Sequence, residues 1–264
     1  MKKIIALFLG VISLAIGPAS AAIVTIDPFA LPVPSQNVCT PSVSVSCSGI
    51  PTSDGSTDAG VIFGTRWMAI TQQFGTDADT ADVNQGHIDA LSFNNASGSA
   101  ANLLVRWDGT ASDGGFFGSF PSNFGSAPVD LTGGGTNAFF LLQVLFSDQN
   151  IAGFPGYTIT AYTDATHYSK LEHDITRVNP FPPNNDFTPQ DVFFPFGLFT
   201  QGAGAAGPVD FTQVRAVDLT IVGYAALDLQ IDFLEAGPSP EPGTWFMMGA
   251  GLLGLGVLAR RRRA

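Results

Sequence analysis

Asn102-Leu103-Leu104-Val105-Arg106-Trp107-Asp108 alternates in steps of two: Leu103, Val105 and Trp107 share one side of an extended chain, and Leu104, Arg106 and Asp108 the other. A period of 3.6 would spread the three large apolar residues around a helix, so the stretch reads as a half-buried strand. Tyr157-Thr158-Ile159-Thr160-Ala161-Tyr162 repeats the pattern, as do Val217-Asp218-Leu219-Thr220-Ile221 and Leu227-Asp228-Leu229-Gln230-Ile231-Asp232-Phe233. Phe139 to Phe146 is apolar except for Gln143, which predicts a central strand covered on both faces. Val61 to Thr71, His87 to Phe93, His167 to Thr176 and Val192 to Thr200 are further candidates.

Turn clusters separate these runs: Asp108-Gly109, Asp113-Gly114-Gly115, Gly133-Gly134-Gly135 and Asn184-Asn185. Outside the two ends no amphipathic helix is evident. Short alternating strands punctuated in this way predict an all-β fold, a single antiparallel β-sandwich spanning 22–236. The arrangement is similar to jelly-roll domains of the carbohydrate-binding kind.

The 221 residues from Ala22 to Pro242 suffice to bury roughly 70% of the unfolded surface in one core, and most of the 22 phenylalanines are available to fill it. All 22 acidic residues fall here against Lys170, Arg66, Arg106, Arg177 and Arg215, a net charge of −17. A surface so charged repels nucleic acid and anionic lipid. Cys39 and Cys47 are the sole cysteines. In an oxidising compartment they are expected to pair, closing a Pro- and Ser-rich loop with about 2.5 kcal/mol of chain-entropy stabilisation. A reactive or metal-binding thiol pair would need a nearby base or histidine, which the loop lacks.

Several strings imitate chemistry. Gly202 to Gly207 matches a dinucleotide fingerprint, but Pro208 leads into a strand-like run where a helix is required. His167 and His173 flank Glu172, yet on a strand they lie about 20 Å apart, too far for one zinc ion. No Gly-x-Ser-x-Gly elbow occurs. Asp77, Asp79 and Asp82 precede Asn84 and Gly86, and clustered oxygen ligands suit Ca²⁺, although the EF-hand order is not met. Calcium is the one cofactor the pattern suggests. Aromatic faces beside polar groups suit sugar rings, and Trp107 with Asp108 and Tyr162 with Asp164 are the nominated ligand contacts. Trp107 competes for this role with the core, since it shares the face of Leu103 and Val105.

The chain opens Met1-Lys2-Lys3, runs apolar from Ile4 to Ile16, then reaches Pro18 and Ala19-Ser20-Ala21-Ala22. Two lysines, a short apolar stretch and small residues at Ala19 and Ala21 make a signal peptide of 1–21, cut by signal peptidase after Ala21. At the other end a Pro-rich spacer, 237–242, contains Pro240-Glu241-Pro242; residues 243–259 carry no charge, and Arg260-Arg261-Arg262-Arg263 precede Ala264. Seventeen uncharged residues reach about 25 Å as a helix, enough for a single transmembrane span. The arginines of the 260–264 tail would hold that end in the cytoplasm and leave everything before Gly243 outside.

These three ordered features, with Gly249 to Gly256 rich in Gly and Leu, resemble the PEP-CTERM sorting signal. The resemblance implies recognition of the tail by an integral-membrane exosortase, in bacteria that make exopolysaccharide. It further implies export across the inner membrane, passage through that membrane by the helix, and delivery to the cell surface or matrix. The expected activity is non-catalytic association with exopolysaccharide; a secreted polysaccharide hydrolase and an inert matrix component are the alternatives.

Overall fold

A computed structural model describes residues 23–29, 47–48, 60–75, 79–83, 89–109, 124–125, 127–148, 151–175 and 189–238. Among these residues thirteen strands run in chain order: β1 (Val24–Asp27), β2 (Cys47–Ser48), β3 (Trp67–Phe74), β4 (Thr80–Val83), β5 (Leu91–Asn94), β6 (Ala100–Trp107), β7 (Asn137–Ser147), β8 (Ile151–Tyr162), β9 (Tyr168–Ile175), β10 (Gln190–Pro195), β11 (Thr200–Gln201), β12 (Ala216–Val222) and β13 (Asp228–Pro238). Among the described residues there is no α-helix, and so none long and apolar enough to cross a membrane.

The strands form two antiparallel sheets. One has six strands ordered β10-β7-β13-β5-β4, with β1 added beside β13; the other has seven, ordered β11-β9-β8-β12-β6-β3-β2. Their facing sides make one core. Leu103, Val105 and Trp107 of β6, Val217, Leu219 and Ile221 of β12 and Ile159 of β8 meet Phe140 and Leu142 of β7, Leu229, Ile231 and Leu234 of β13 and Phe93 of β5, all fully buried. Each such side chain stabilises the fold by about 1.5–3 kcal/mol relative to exposure, the term that outweighs the entropy of ordering the strands.

The two-residue alternation therefore marks the inner faces of β6, β8 and β12. Elsewhere the structure revises the expectation. Phe139 to Phe146 lies in β7 with buried and half-buried positions alternating, because only one of its faces meets the other sheet. The Val61 run begins as a 3₁₀ turn, Ile62–Gly64, before β3 starts at Trp67. The Val192 run breaks at Pro195 into a second 3₁₀ turn, Phe196–Leu198, and resumes as β11. β13 continues through Gly237 to Pro238, two residues into the segment read as spacer, and ends on a residue that has no N–H to give the ladder.

A close backbone approach is set at the end of β3. Gly75, at the end of β3, has φ +92°, and a Cβ there would lie 2.2 Å from the Gly98 carbonyl oxygen and 2.6 Å from the Ser99 Cα. Gly75→Ala should cost about 1–3 kcal/mol from backbone strain alone, before the collision with backbone is counted. A thermal melt with an unchanged midpoint would remove this constraint.

Candidate functional site

The nominated Trp107 sits at a buried junction. Asp27, at the end of β1, is inaccessible to solvent; its Oδ2 accepts the Arg66 Nη1 donor at 2.6 Å and the Trp107 Nε1–H at 2.8 Å, and its Oδ1 accepts the Phe29 N–H at 2.8 Å. The Arg66 guanidinium lies over the Phe29 ring, 5.6 Å from its centroid. Phe29 holds φ +48°, an uncommon conformation that the Asp27 turn maintains. Trp107 thus offers no stacking surface, since its indole is spent inside the core. Asp108 is 1% exposed, and its carbonyl accepts the Gly125 N–H at 3.1 Å. Trp107, on the core-facing side of β6, cannot also face a ligand outside.

Off-core positions of the seven-stranded sheet build a second polar junction. Arg106 donates from Nε to Asp218 Oδ1 and from Nη2 to Oδ2, both at 2.8 Å, a bidentate fork across β6 and β12. The Tyr162 hydroxyl donates to Asp218 Oδ2 at 2.9 Å, and its ring stacks on Tyr168 with centroids 5.5 Å apart. Burial, then the charge of Asp218, pushes the Tyr162 hydroxyl far above its usual range. Trp67 lies across from Arg106 in β3, and all five residues are at most 6% exposed. Tyr162 therefore has a covered ring.

Beyond that junction the same sheet face opens to solvent. The register continues from Asp218 to Thr160 and Lys170 to Thr200, with Thr158 opposite Glu172 one row along. Lys170 and Glu172 pair at 2.6 Å and remain more than 40% exposed. This uncovered strip carries hydroxyl, amine and carboxylate groups at strand spacing. At its rim is the turn joining β8 to β9. There Asp164 Oδ1 accepts the Thr166 N–H at 2.7 Å, the Thr166 hydroxyl at 2.8 Å and the His167 N–H at 2.9 Å, while Oδ2 stands 2.9 Å from His167 Nδ1. Led by the Thr166 hydroxyl, these donors hold the Asp164 carboxyl well below the ordinary range. Tyr162 and Asp164 are neighbours with separate tasks, one closing a covered cluster and the other shaping a turn.

The calcium set is divided. Asp79 is fully buried, its carboxylate accepting the Ser99 hydroxyl at 2.6 Å and the Ala96 N–H at 3.1 Å. Asp82 belongs to β4, where it lies opposite Ser92 of β5. Asp77 lies outside the described residues, as do the Ala19 and Ala21 cleavage site, Pro240, Glu241, Pro242, Arg260 to Arg263, and Cys39. Cys47 lies in β2, opposite Ile70. Among the described residues no three His, Cys, Asp or Glu side chains converge as a metal site.

Instead, carboxylates of β13 meet like charges. Burial, then Asp148, raises the Asp228 carboxyl; burial, then Asp89, raises Asp232; burial, then Asp191, raises Glu235. Acids raised on folding contribute stability that is present below their ordinary values of 3.8 and 4.5 and is lost as pH rises through the raised folded values. Asp130 and Asp164 are lowered by the hydroxyls of Thr132 and Thr166, so their contribution runs the other way and vanishes only in stronger acid. The melting temperature should therefore rise as pH falls from 7 toward the unperturbed carboxylate range, and fall again below it. Asp232→Asn should flatten the first limb; a melting temperature that declines steadily from neutrality would contradict the assignment.

A family model of the PEP-CTERM protein-sorting motif matches residues 240–263, immediately after the last strand. This chain carries a PEP-CTERM sorting motif. The PEP-CTERM chain's sandwich matches no specific family, and no curated protein matches the sequence. In fold it is similar to a family 11 carbohydrate-binding module from Clostridium thermocellum in complex with a β-1,3-1,4-mixed-linked tetrasaccharide. That match has 8% identity over 84% of this chain and 99% of the module, with a TM-score of 0.37. It is also similar to the family 11 module of the cellulosomal cellulase Lic26A-Cel5E of the same organism, at 8% identity over 84% and 97% with a TM-score of 0.36. A third likeness is the solution structure of CtCBM11, at 9% identity over 85% and 100% with a TM-score of 0.39.

Proposed function

We propose that this protein is an exosortase substrate, exported across the inner membrane and delivered to the cell surface or matrix, where its sandwich associates with neutral exopolysaccharide without cleaving it. The observation that carries the reading is the sorting motif at 240–263, joined to a strand-built body by a spacer of a few residues. A motif of this kind is an address, and the body is its cargo.

The ligand class rests on charge and surface chemistry. With five basic residues against 22 acidic ones between the two terminal segments, acidic chains are repelled unless a cation such as calcium bridges them. Neutral chains need hydrogen-bonding groups on an open face, and Thr158, Thr160, Lys170, Glu172 and Thr200 supply them. The contact surface is assigned to this strip rather than to Trp107, which the core occupies, or Asp108, which is buried.

Full-length protein made in a host with the cognate exosortase tests both halves. Intact mass should show released chains that begin near Ala22 and end near Glu241, with Cys39 and Cys47 bonded; retention of Arg260 to Arg263 in released material contradicts the sorting reading. The released protein is then applied to insoluble neutral and matrix polysaccharides. Retention without new reducing ends supports association, oligosaccharide release establishes a hydrolase, and retention on none of them leaves a structural matrix role.

A further inference from the structure

The end of the six-stranded sheet from which the tail departs is apolar on its outer face. Pairing aligns Pro195 of β10, Phe139 of β7 and Gly237 of β13 in one row, and β1 enters beside that row with Val24 opposite Ala236. Of the four large apolar side chains exposed among the described residues, three lie at this end: Ile23, 57% exposed, directly before β1 at one edge, Phe193, 41% exposed, in β10 at the other, and Leu198, 61% exposed, in the 3₁₀ turn that follows Pro195. Phe193 packs edge-on against Phe139, centroids 5.0 Å apart, and so extends the patch along the face. The fourth, Phe74, is at the opposite end: its carbonyl accepts from Ser99, beside Ala96, whose carbonyl accepts the Ala226 N–H just before β13 begins.

The chain itself says what meets this patch. From Pro238 to Gly243, where the uncharged segment starts, there are five Cα steps, which reach at most about 17 Å when fully extended. A bilayer's headgroup layer takes up about 5–8 Å of that on each side of the hydrocarbon. While the tail is embedded, this end is held within about 10 Å of the lipid surface, and no other part of the sandwich is so constrained. The amino-terminal segment reaches the fold at the same place, since Ile23 directly precedes β1.

We propose that in the uncleaved precursor this end of the sandwich docks on the outer surface of the membrane, with Ile23, Phe193 and Leu198 entering the headgroup layer and the Pro240-Glu241-Pro242 segment held against the bilayer. The partner is zwitterionic lipid, because Glu235 and Asp191 lie one to two rows in from the end of the same face and would repel anionic headgroups. Docking keeps the sorting motif at the depth where a membrane-embedded processing enzyme works. Cleavage then frees an end that no longer has a tether to hold it on lipid.

This rests on the reading of 243–259 as a membrane helix, and the test separates the two. Full-length chain is placed, one copy per disc, in phosphatidylcholine nanodiscs whose acyl chains are brominated near the headgroup, and emission added by a new tryptophan is compared with unbrominated discs after subtracting wild type. Emission added by Phe193→Trp or by Leu198→Trp should be quenched, and that added by Phe74→Trp should not. Chain that inserts but shows no quenching at either position overturns the docked precursor alone. Chain that fails to enter the discs overturns the membrane helix and the docking with it.

Discussion

Replacing Asp27 by alanine should destabilise the sandwich by about 3–5 kcal/mol, the usual cost of removing one partner from a buried ion pair. The Arg66 guanidinium, 2% exposed, would lose the carboxylate 2.6 Å away, and the Trp107 indole N–H and the Phe29 N–H would lose their acceptors in a place water does not reach. For a domain of about 200 residues each kcal/mol moves the midpoint by about 2–4 °C, so the loss corresponds to about 6–20 °C. Asp27→Asn, which keeps an acceptor and loses the charge, should fall between. Asp27→Ala combined with Arg66→Met should recover part of the loss, because the cost lies in the stranded cation. Circular-dichroism melts decide this; a single variant within about 1 kcal/mol of wild type would show that the junction relaxes or hydrates freely.

Asp218→Ala should have an effect of similar size, again about 3–5 kcal/mol, and for a related reason. It takes away the carboxylate that matches the fork of Arg106 and accepts the Tyr162 hydroxyl, all at 6% exposure or less. Tyr162→Phe removes a single hydrogen bond and should cost only about 1 kcal/mol. Arg106→Leu with Asp218→Leu replaces both charges by apolar volume and should be much milder than Asp218→Ala alone. If the double variant proves as damaging as the single one, the ion pair is not what the packing of β6, β12 and β8 depends on. The Arg106–Asp218–Tyr162 junction ties β6 and β12 to β8, the strand that carries Thr158 and Thr160 of the open strip.

Period-two alternation was legible from residues alone because side-chain direction on an extended strand is a local property. It identified the inner faces of β6, β8 and β12, with Leu103, Val105, Val217 and Leu219 all buried. The sorting motif was legible for a different reason: such an address is a linear string, and its ordered prolines, uncharged span and arginines need no fold to be recognised. Short strands gave no such sign. β1 has four residues and exists through its pairing with β13, and β4 was hidden in a run of aspartates that suited a cation loop equally well. The alternation already placed Trp107 on the core face of Leu103 and Val105, but which polar groups the buried side chains meet was not legible. Trp107 is claimed by Asp27 from 80 positions away and Arg106 by Asp218 from 112. Such partners meet only when two sheets close over each other, and that depends on a register summed over many distant contacts, which no local window of residues contains.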